Sequence, residues 1–232
     1  MMSVVSRGEL SQAFVSLAVT VLLMGVALFL PAGTLRWPHG LLFLAVFLFL
    51  TVVAMAWLWR VNPEIFVARR RLTGQGTKGW DVVLLLILLA GFLATLIVAA
   101  LDDGRFHWAP APPLAVLVGY VLLLVGYLGT AWAQAVNRHF EPSVRIQSDR
   151  DHHVITTGPY AYVRHPGYIF GTILTFGIAL ALGSLWALLP AVLFVVVLAI
   201  RTNLEDATLQ RELPGYAEFA ARVRYKWIPG IW

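Results

Sequence analysis

Six long apolar runs constrain the fold of this chain more than any other feature. They cover approximately residues 10–30, 40–59, 81–101, 112–136, 167–182 and 185–203. A helix rises about 1.5 Å per residue, so about 20 residues cross a hydrocarbon core of about 30 Å, and the first four runs reach that length. Within a bilayer each segment must satisfy its own backbone hydrogen bonds, which favours helices. The sequence therefore predicts an all-α, polytopic transmembrane helical bundle.

The last two runs are shorter, and the turn signal Gly183-Ser184 separates them. This pattern predicts a tight helical hairpin, whose two arms either cross the bilayer or turn back within it. The first run lacks a small-residue cleavage signature and is long enough to span, so we expect a retained helix rather than a signal peptide.

Composition narrows the function classes. Only 12% of the residues are charged, against about 25% in an average soluble domain. The net charge of +5 comes from basic residues beside the ends of apolar runs, where they contact lipid headgroups, so we do not expect nucleic acid as a partner. The chain has no cysteine, which excludes disulfides, thiolate catalysis and iron–sulfur clusters. His152 and His153 are adjacent rather than four residues apart, so we expect no metal site.

The distribution of cations predicts the orientation. Of the 17 lysines and arginines, 15 fall on one set of alternate polar segments and two on the other. By the positive-inside rule, both termini should face the cytoplasm. Arg69, Arg70 and Arg71 are expected to face headgroups, whereas Asp102 and Asp103 are expected to be solvated loop charges on the opposite side. The lack of cysteine and the compact arginine-rich loops favour a prokaryotic plasma membrane.

We expect a single domain over residues 1–232, in which an N-terminal transmembrane hairpin and basic loop (1–79) precede a catalytic core (80–232). Side chains capable of chemistry concentrate in two predicted cytoplasmic stretches, 137–168 and 201–232. The hairpin between these stretches brings its two ends together, so Arg164, His165 and Tyr168 should lie near Arg201 and Glu205.

Each of these features also has a structural interpretation. The loop can be an ordered interfacial segment, and Arg201 with Glu205 can form a surface ion pair four residues apart on a helix. The spacing of Gly167 and Gly171 is typical first of close helix packing and second of room for a cofactor.

The combination of motifs resembles the isoprenylcysteine carboxyl methyltransferase family of integral membrane enzymes, which is related to the phospholipid N-methyltransferases. The resemblance covers about 137–232 and rests on Val154 to Tyr160, on Arg164-His165-Pro166-Gly167-Tyr168, and on Arg201 followed by Glu205-Asp206 and Leu209. The acidic pair departs from the two glutamates usual in the family.

This resemblance implies S-adenosylmethionine as the cofactor and a polar C-terminal region that binds it. The positions that match cofactor contacts are Gln147, His152, Val154, Ile155, Tyr160, His165, Pro166, Tyr168 and Glu205. Catalytic roles are predicted for Arg201, Arg164 and His165, and Arg201 could hold an acceptor carboxylate by a bidentate contact. We expect a lipophilic acceptor that enters from the bilayer, with membrane lipids as the other partners.

Alternative functions remain open at this point. An amine headgroup or a small thiol could replace the carboxylate, and an amine would require a general base such as His165 or Glu205. Sterol reductases share the Arg-His-Pro motif and use a nicotinamide cofactor, but they are considerably longer. A small transporter would be favoured by charges in the middle of the spans, and the predicted spans contain none there.

Overall fold

Eight α-helices form most of the computed structural model, which describes residues 7–68 and 73–232. A π-helical turn at Asp102–Phe106 extends the fourth helix, and two short 3-10 turns lie at Ser148–Arg150 and Gly158–Ala161. The helices are α1 (Arg7–Ala32), α2 (Pro38–Val61), α3 (Glu64–Ala68), α4 (Gly79–Leu101), α5 (Pro113–Val136), α6 (Pro166–Ala181), α7 (Leu188–Glu212) and α8 (Tyr216–Arg222).

The predicted helical membrane bundle is confirmed. Within the described residues, four helices are long and apolar enough to cross a membrane, namely α2, α4 with its π-helical turn, α5 and α7. Two apolar helical segments are shorter, namely Leu17–Ala32 within α1 and Pro166–Ala181, which is α6. With 16 residues, α6 is about 24 Å long, shorter than a hydrocarbon core. The sides on which the termini lie stay a prediction, and Arg69–Arg71 lie outside the described residues.

The outer faces of these helices are apolar, as expected for a surface that contacts lipid. Large hydrophobic side chains such as Leu22, Phe49, Leu86, Leu117 and Leu193 are exposed. So extensive an apolar surface would aggregate in water, whereas lipid chains solvate it readily. The distribution supports an integral membrane protein.

Helix α7 is longer than the sequence predicted, since it ends at Glu212 rather than near residue 203. Its polar final turns remain helical because their side chains find partners elsewhere in the fold, including Asp206 with Arg164 and Glu212 with Lys78. Residues four apart on a helix share a face. Arg201, Glu205 and Leu209 therefore lie on successive turns of one face of α7.

Helices α5 and α6 form the most extensive helix contact in the described part of the chain. Glycines allow their backbones to approach closely: a Cβ atom built on Gly126 would lie 2.4 Å from the backbone nitrogen of Leu174, and one on Gly177 would lie 2.4 Å from that of Leu123. Small residues at such positions are typical of helix association in lipid. This contact fixes the position of α6, which carries Tyr168.

The interpretation of Asp102 and Asp103 as solvated loop charges is wrong. Asp102 is fully buried and accepts hydrogen bonds from the Ser184 hydroxyl at 2.5 Å and the Ala109 amide at 2.7 Å. Asp103 accepts a bond from the Trp37 indole at 2.7 Å and also contacts His39. The acids are buried because together they tie the α4–α5 connection to the start of α2 and to the turn between α6 and α7.

We expect Gly126→Ala to lower the free energy of unfolding by about 1–3 kcal/mol, because the added methyl group forces α5 and α6 apart. The measurement is thermal or denaturant unfolding in detergent. Gly25→Ala is the matched control, since a Cβ at Gly25 has nothing within 4 Å. The control should match or exceed wild-type stability because alanine favours a helix. Equal stability of the two variants would contradict the close contact.

Candidate functional site

A cavity of about 360 Å³ lies where α4, α6 and α7 meet the segment between α5 and α6. The predicted pairing of the two hairpin ends is observed, because residues from both ends line this one cavity. Of the predicted site residues, the cavity is lined by Gln147, His152, Val154, Ile155, Tyr160, Arg164, His165, Tyr168, Arg201 and Glu205. Their roles toward a ligand stay predictions.

Pro166 is the exception among the predicted site residues, since it is not part of the cavity lining. It is buried and is the first residue of α6. At that position a helix needs no backbone donor, so proline fits without loss of a hydrogen bond. Pro166 therefore has a structural role in starting α6, and its contact with a cofactor stays a prediction.

The loop between α5 and α6 forms the polar wall of the cavity. The Gln147 side-chain amide donates to the His139 carbonyl at 2.7 Å, and the Gln147 backbone amide donates to Nδ1 of His152 at 3.3 Å. Because Nδ1 of His152 accepts this bond, the neutral ring carries its proton on Nε2. His152 is thus a hydrogen-bond donor in the lining of the cavity.

His152 keeps this neutral state over a wide pH range. Burial, together with the neighbouring His139 and His153 and the cations Arg145 and Arg150, lowers the pKa of His152 to about 4. Burial also lowers the pKa of His139. Within 7–68 and 73–232, no group of three or more His, Cys, Asp or Glu side chains is arranged to hold a metal ion.

Arg201 pairs with Asp81 rather than forming a surface pair with Glu205. Its Nε donates to Oδ1 of Asp81 at 2.7 Å, and its Nη2 donates to Oδ2 of Asp81 at 3.3 Å and to the Pro142 carbonyl at 2.6 Å. Its Nη1 donates to the Tyr168 hydroxyl at 2.7 Å. Four of the five N–H bonds are therefore in use, and the predicted bidentate contact with a substrate carboxylate is not available in this arrangement.

Glu205 is joined to Arg201 through a tyrosine. The Tyr168 hydroxyl accepts its bond from Arg201 and donates its own proton to Oε2 of Glu205. The Arg201 guanidinium also lies 5.4 Å from the centre of the Tyr168 ring. This arrangement holds the tyrosine in place and leaves Glu205 without a direct cationic partner among the described hydrogen bonds and ion pairs.

Most of the N–H groups of Arg164 bind other parts of the fold rather than face the cavity. Its guanidinium donates to both oxygens of Asp206, at 2.8 and 3.0 Å, and to the carbonyls of Val223 and Arg224 at 2.8 and 2.7 Å. These bonds tie the C-terminal segment to α7. Arg164 therefore has few donors left for a methyl acceptor, and its predicted catalytic role gains no support from this geometry.

Asp206 organises the remaining groups beneath the cavity. It pairs with Nε2 of His165 at 3.1 Å and accepts a bond from the Tyr216 hydroxyl at 3.0 Å. The His165 ring is parallel to that of Tyr168, with 5.6 Å between their centres. Asp206 thus fixes His165, which in turn supports Tyr168.

Tyr160 closes the side of the cavity near the end of α5. Its hydroxyl accepts a hydrogen bond from the Asn137 amide at 2.9 Å, and burial raises its pKa. Tyr160 is therefore a neutral phenol at physiological pH. Its ring adds a second aromatic surface to the cavity beside that of Tyr168.

The opposite part of the cavity is apolar and lies between membrane helices. Leu85 and Leu88 come from α4, Gly171 from α6, and Phe194 and Leu198 from α7. A Cβ built on Gly171 would have nothing within 4 Å. The interpretation of Gly171 as a helix-packing residue is therefore wrong, because it borders open space.

Gly167 permits close packing, as its first interpretation predicted. A Cβ there would lie 2.6 Å from the Phe140 ring, so this glycine permits close packing.

Several residues of the site were missed by sequence reasoning. Asp81 was treated only as the start of an apolar run, although an acidic residue in the first turn of a helix is a recognisable signal. Glu141 lines the cavity and holds Arg145 through bonds of 2.7 and 2.9 Å. The sequence offered no signal that would single out the other missed polar residues of the lining, among them Asn137, His139 and Tyr216.

A family model matches the central and C-terminal part of the chain. Residues 114–214 match the family model described as phospholipid methyltransferase. No curated protein matches the chain. The matched segment begins at the second residue of α5 and ends just after α7, so it contains every predicted site residue and excludes Asp81.

We expect the free energy of unfolding to fall as the pH decreases from about 6.5 to about 4, partly because of His152. In the unfolded chain this histidine takes up a proton near its ordinary pKa of 6.5, whereas in the folded chain it does so only near 4. Above pH 6.5 it is neutral in both states and contributes nothing. Unfolding measured against pH should show a shallower slope for His152→Asn. Identical slopes would show that His152 is not held neutral by the fold.

Proposed function

Residues 114–214 match the phospholipid methyltransferase family, and from this premise we propose that the chain transfers a methyl group from S-adenosylmethionine to a lipid-related acceptor. The match confirms the relationship to integral membrane methyltransferases that the sequence predicted. Membrane methyl transfer follows from the family. The cofactor, the acceptor and the residue roles are our proposals.

The proposal rests on one observation, namely that the cavity is lined by a polar surface and an apolar surface. One part is polar and aromatic and is lined by loop residues together with Tyr168, Arg201 and Glu205, and the other is apolar and lies between α4, α6 and α7. A polar cofactor and a lipophilic acceptor can meet only where two such surfaces join. The volume of about 360 Å³ falls within the usual range for small-molecule sites.

The donor set of the polar part fits S-adenosylmethionine, which supplies an activated methyl group on a cationic sulfonium when bound. We propose that the rings of Tyr160 and Tyr168 favour the positive charge. Glu205 would accept hydrogen bonds from hydroxyl or amino groups of the cofactor, and Nε2 of His152 would donate one. These residues mainly position the reactants and exclude water, and positioning alone can contribute about 7–11 kcal/mol.

For the acceptor, we propose an amine-bearing lipid headgroup. Asp81 already neutralises Arg201, and Glu205 adds a further carboxylate, so this part of the site favours a cationic ligand over a second anion. An amine must lose a proton before it attacks, and Glu205 could accept it, whereas the other carboxylate of the lining, Glu141, is paired with Arg145. Carboxylate methylation, as in the isoprenylcysteine enzymes, is the second candidate and would use the remaining N–H of Arg201.

The apolar part of the cavity suggests how such an acceptor arrives. We propose that its chains enter from the bilayer between α4, α6 and α7, while the cofactor enters from the aqueous side. The predicted excess of cations on this side of the membrane favours the cytoplasm, as proposed for both termini.

Calorimetry on the purified protein should detect S-adenosylmethionine binding, and Glu205→Gln or Tyr168→Leu should weaken it at least about 10-fold. Glu205→Gln weakens hydrogen bonds to a charged acceptor, each of which contributes about 1.5–3 kcal/mol, and Tyr168→Leu removes an aromatic face whose contact with a desolvated cation contributes about 2 kcal/mol. Glu218→Gln is the matched control, since Glu218 is an exposed acid on α8 outside the cavity lining. Binding of NADPH without binding of S-adenosylmethionine would sink the proposal and favour a reductase.

Gly171→Leu should lower methyl transfer to a long-chain amine lipid about 10-fold or more, because the side chain fills open space in the apolar part of the cavity. The affinity for S-adenosylmethionine should change less than about 3-fold. The assay follows labelled methyl groups into vesicles that contain either an amine lipid or an acidic prenyl amphiphile.

Gly25→Leu serves as the control for this substitution, since Gly25 also borders open space but lies on α1 away from the cavity. Label in the acidic amphiphile alone would overturn the amine assignment. Unchanged transfer by Gly171→Leu would overturn the proposed route through the apolar part.

A further inference from the structure

Asp81 is fully buried at the first turn of α4 and does not line the cavity, yet it contacts two elements that do. Its carboxylate accepts two bonds from Arg201 on α7 and one from the Val144 amide at 2.7 Å. The Lys78 amide, in turn, donates to the Val144 carbonyl at 3.1 Å. The start of α4 therefore holds both the guanidinium and the loop that forms the polar wall.

The spacing on α7 shows why this position matters. Arg201 and Glu205 are four residues apart, the separation at which an arginine and an acid on a helix normally pair. Such a pair would neutralise Glu205 and occupy its oxygens. In the structure the guanidinium turns instead to Asp81 and reaches Glu205 only through the Tyr168 hydroxyl.

We propose that Asp81 is a positioning residue that draws Arg201 away from Glu205, and thereby keeps the Glu205 carboxylate available for a cationic ligand. This inference rests on the proposed function, since the ligand in question is S-adenosylmethionine. Asp81 itself touches neither reactant. It lies outside residues 114–214, so the part of the chain that carries the site depends on a partner 120 residues away in sequence.

The charges around the pair support the assignment. Asp81 and Glu205 carry two negative charges against the single positive charge of Arg201. This group of three side chains therefore has a net negative charge, which suits a sulfonium. With Asp81 neutral, Arg201 would balance Glu205 instead, and the attraction for a cation would be lost. The electrostatic effect of Asp81 on the ligand therefore passes through Arg201.

A double-variant cycle read by calorimetry tests this route. Asp81→Asn should weaken S-adenosylmethionine binding at least about 10-fold, because Arg201 is released to pair with Glu205. Arg201→Gln should bind more tightly than Asp81→Asn, because Glu205 then has no arginine with which to pair. The variant that carries both changes should bind like Arg201→Gln, so that loss of the arginine recovers affinity lost with the aspartate. Asp81→Glu, which keeps the charge, should stay closer to wild type than Asp81→Asn.

A purely structural role for Asp81 gives a different pattern. Binding would then be weak in both Asp81→Asn and the double variant, and this outcome overturns the proposal. Asp103→Asn is the matched control, since it removes a buried acid near the other end of α4 and should leave the affinity unchanged. Unfolding midpoints are recorded for every variant, so that loss of fold is separated from loss of affinity.

If Asp81→Asn does not fold, the double variant still decides, because removing both partners leaves no uncompensated buried charge. Failure of the double variant to bind while Arg201→Gln binds would contradict the proposal. Wild-type protein that binds no S-adenosylmethionine would refute the proposed function, and the positioning role with it. Binding by wild type and Asp81→Asn with equal affinity would refute the positioning role alone.

Discussion

The buried ion pair between Asp81 and Arg201 is the interaction on which the site depends. It joins α4 to α7, and through the Val144 amide and the Pro142 carbonyl it also holds the loop between α5 and α6. A buried pair contributes little net stability, but removal of one partner leaves a charge without compensation and costs about 3–5 kcal/mol. The pair therefore specifies geometry more than it adds stability, and the geometry it specifies is that of the cavity.

A second aspartate–arginine pair supports the other side. Asp206 on α7 binds Arg164, and Arg164 binds two carbonyls of the C-terminal segment. Asp206 also holds His165 and Tyr216. The polar half of α7 thus carries one buried cation, Arg201, and one buried anion, Asp206, each paired with a distant element. Between them Glu205 accepts a bond from Tyr168 but has no cationic partner among the described ion pairs, which is consistent with its proposed role toward a ligand.

Much of the fold could be predicted because the bilayer imposes a simple rule. Apolar runs of sufficient length become helices, and all six predicted runs are helical in the structure. The hairpin also predicted that Arg164 to Tyr168 would lie near Arg201 and Glu205. The closely spaced motif in the loop then identified most of the residues that line one side of the cavity.

The features that the sequence did not predict depend on contacts between distant segments, which local sequence does not reveal. Asp81 appears as the edge of an apolar run, and its pairing with Arg201 follows only once α4 and α7 pack together. Asp102 and Asp103 appear solvated until the turn between α6 and α7 covers them. Gly167 and Gly171 form one motif in sequence, but only Gly167 faces a neighbour because successive turns of α6 meet different surroundings.

The central claim is that two distant segments build one ligand site at the end of the membrane hairpin. Hydrogen–deuterium exchange in nanodiscs, with and without S-adenosylhomocysteine, tests it most directly. The account predicts that the ligand slows exchange in residues 139–168 and in residues 201–209 together, while exchange in residues 102–111 at the opposite end of α4 stays unchanged. Protection of only one segment, or of neither, would contradict a shared site.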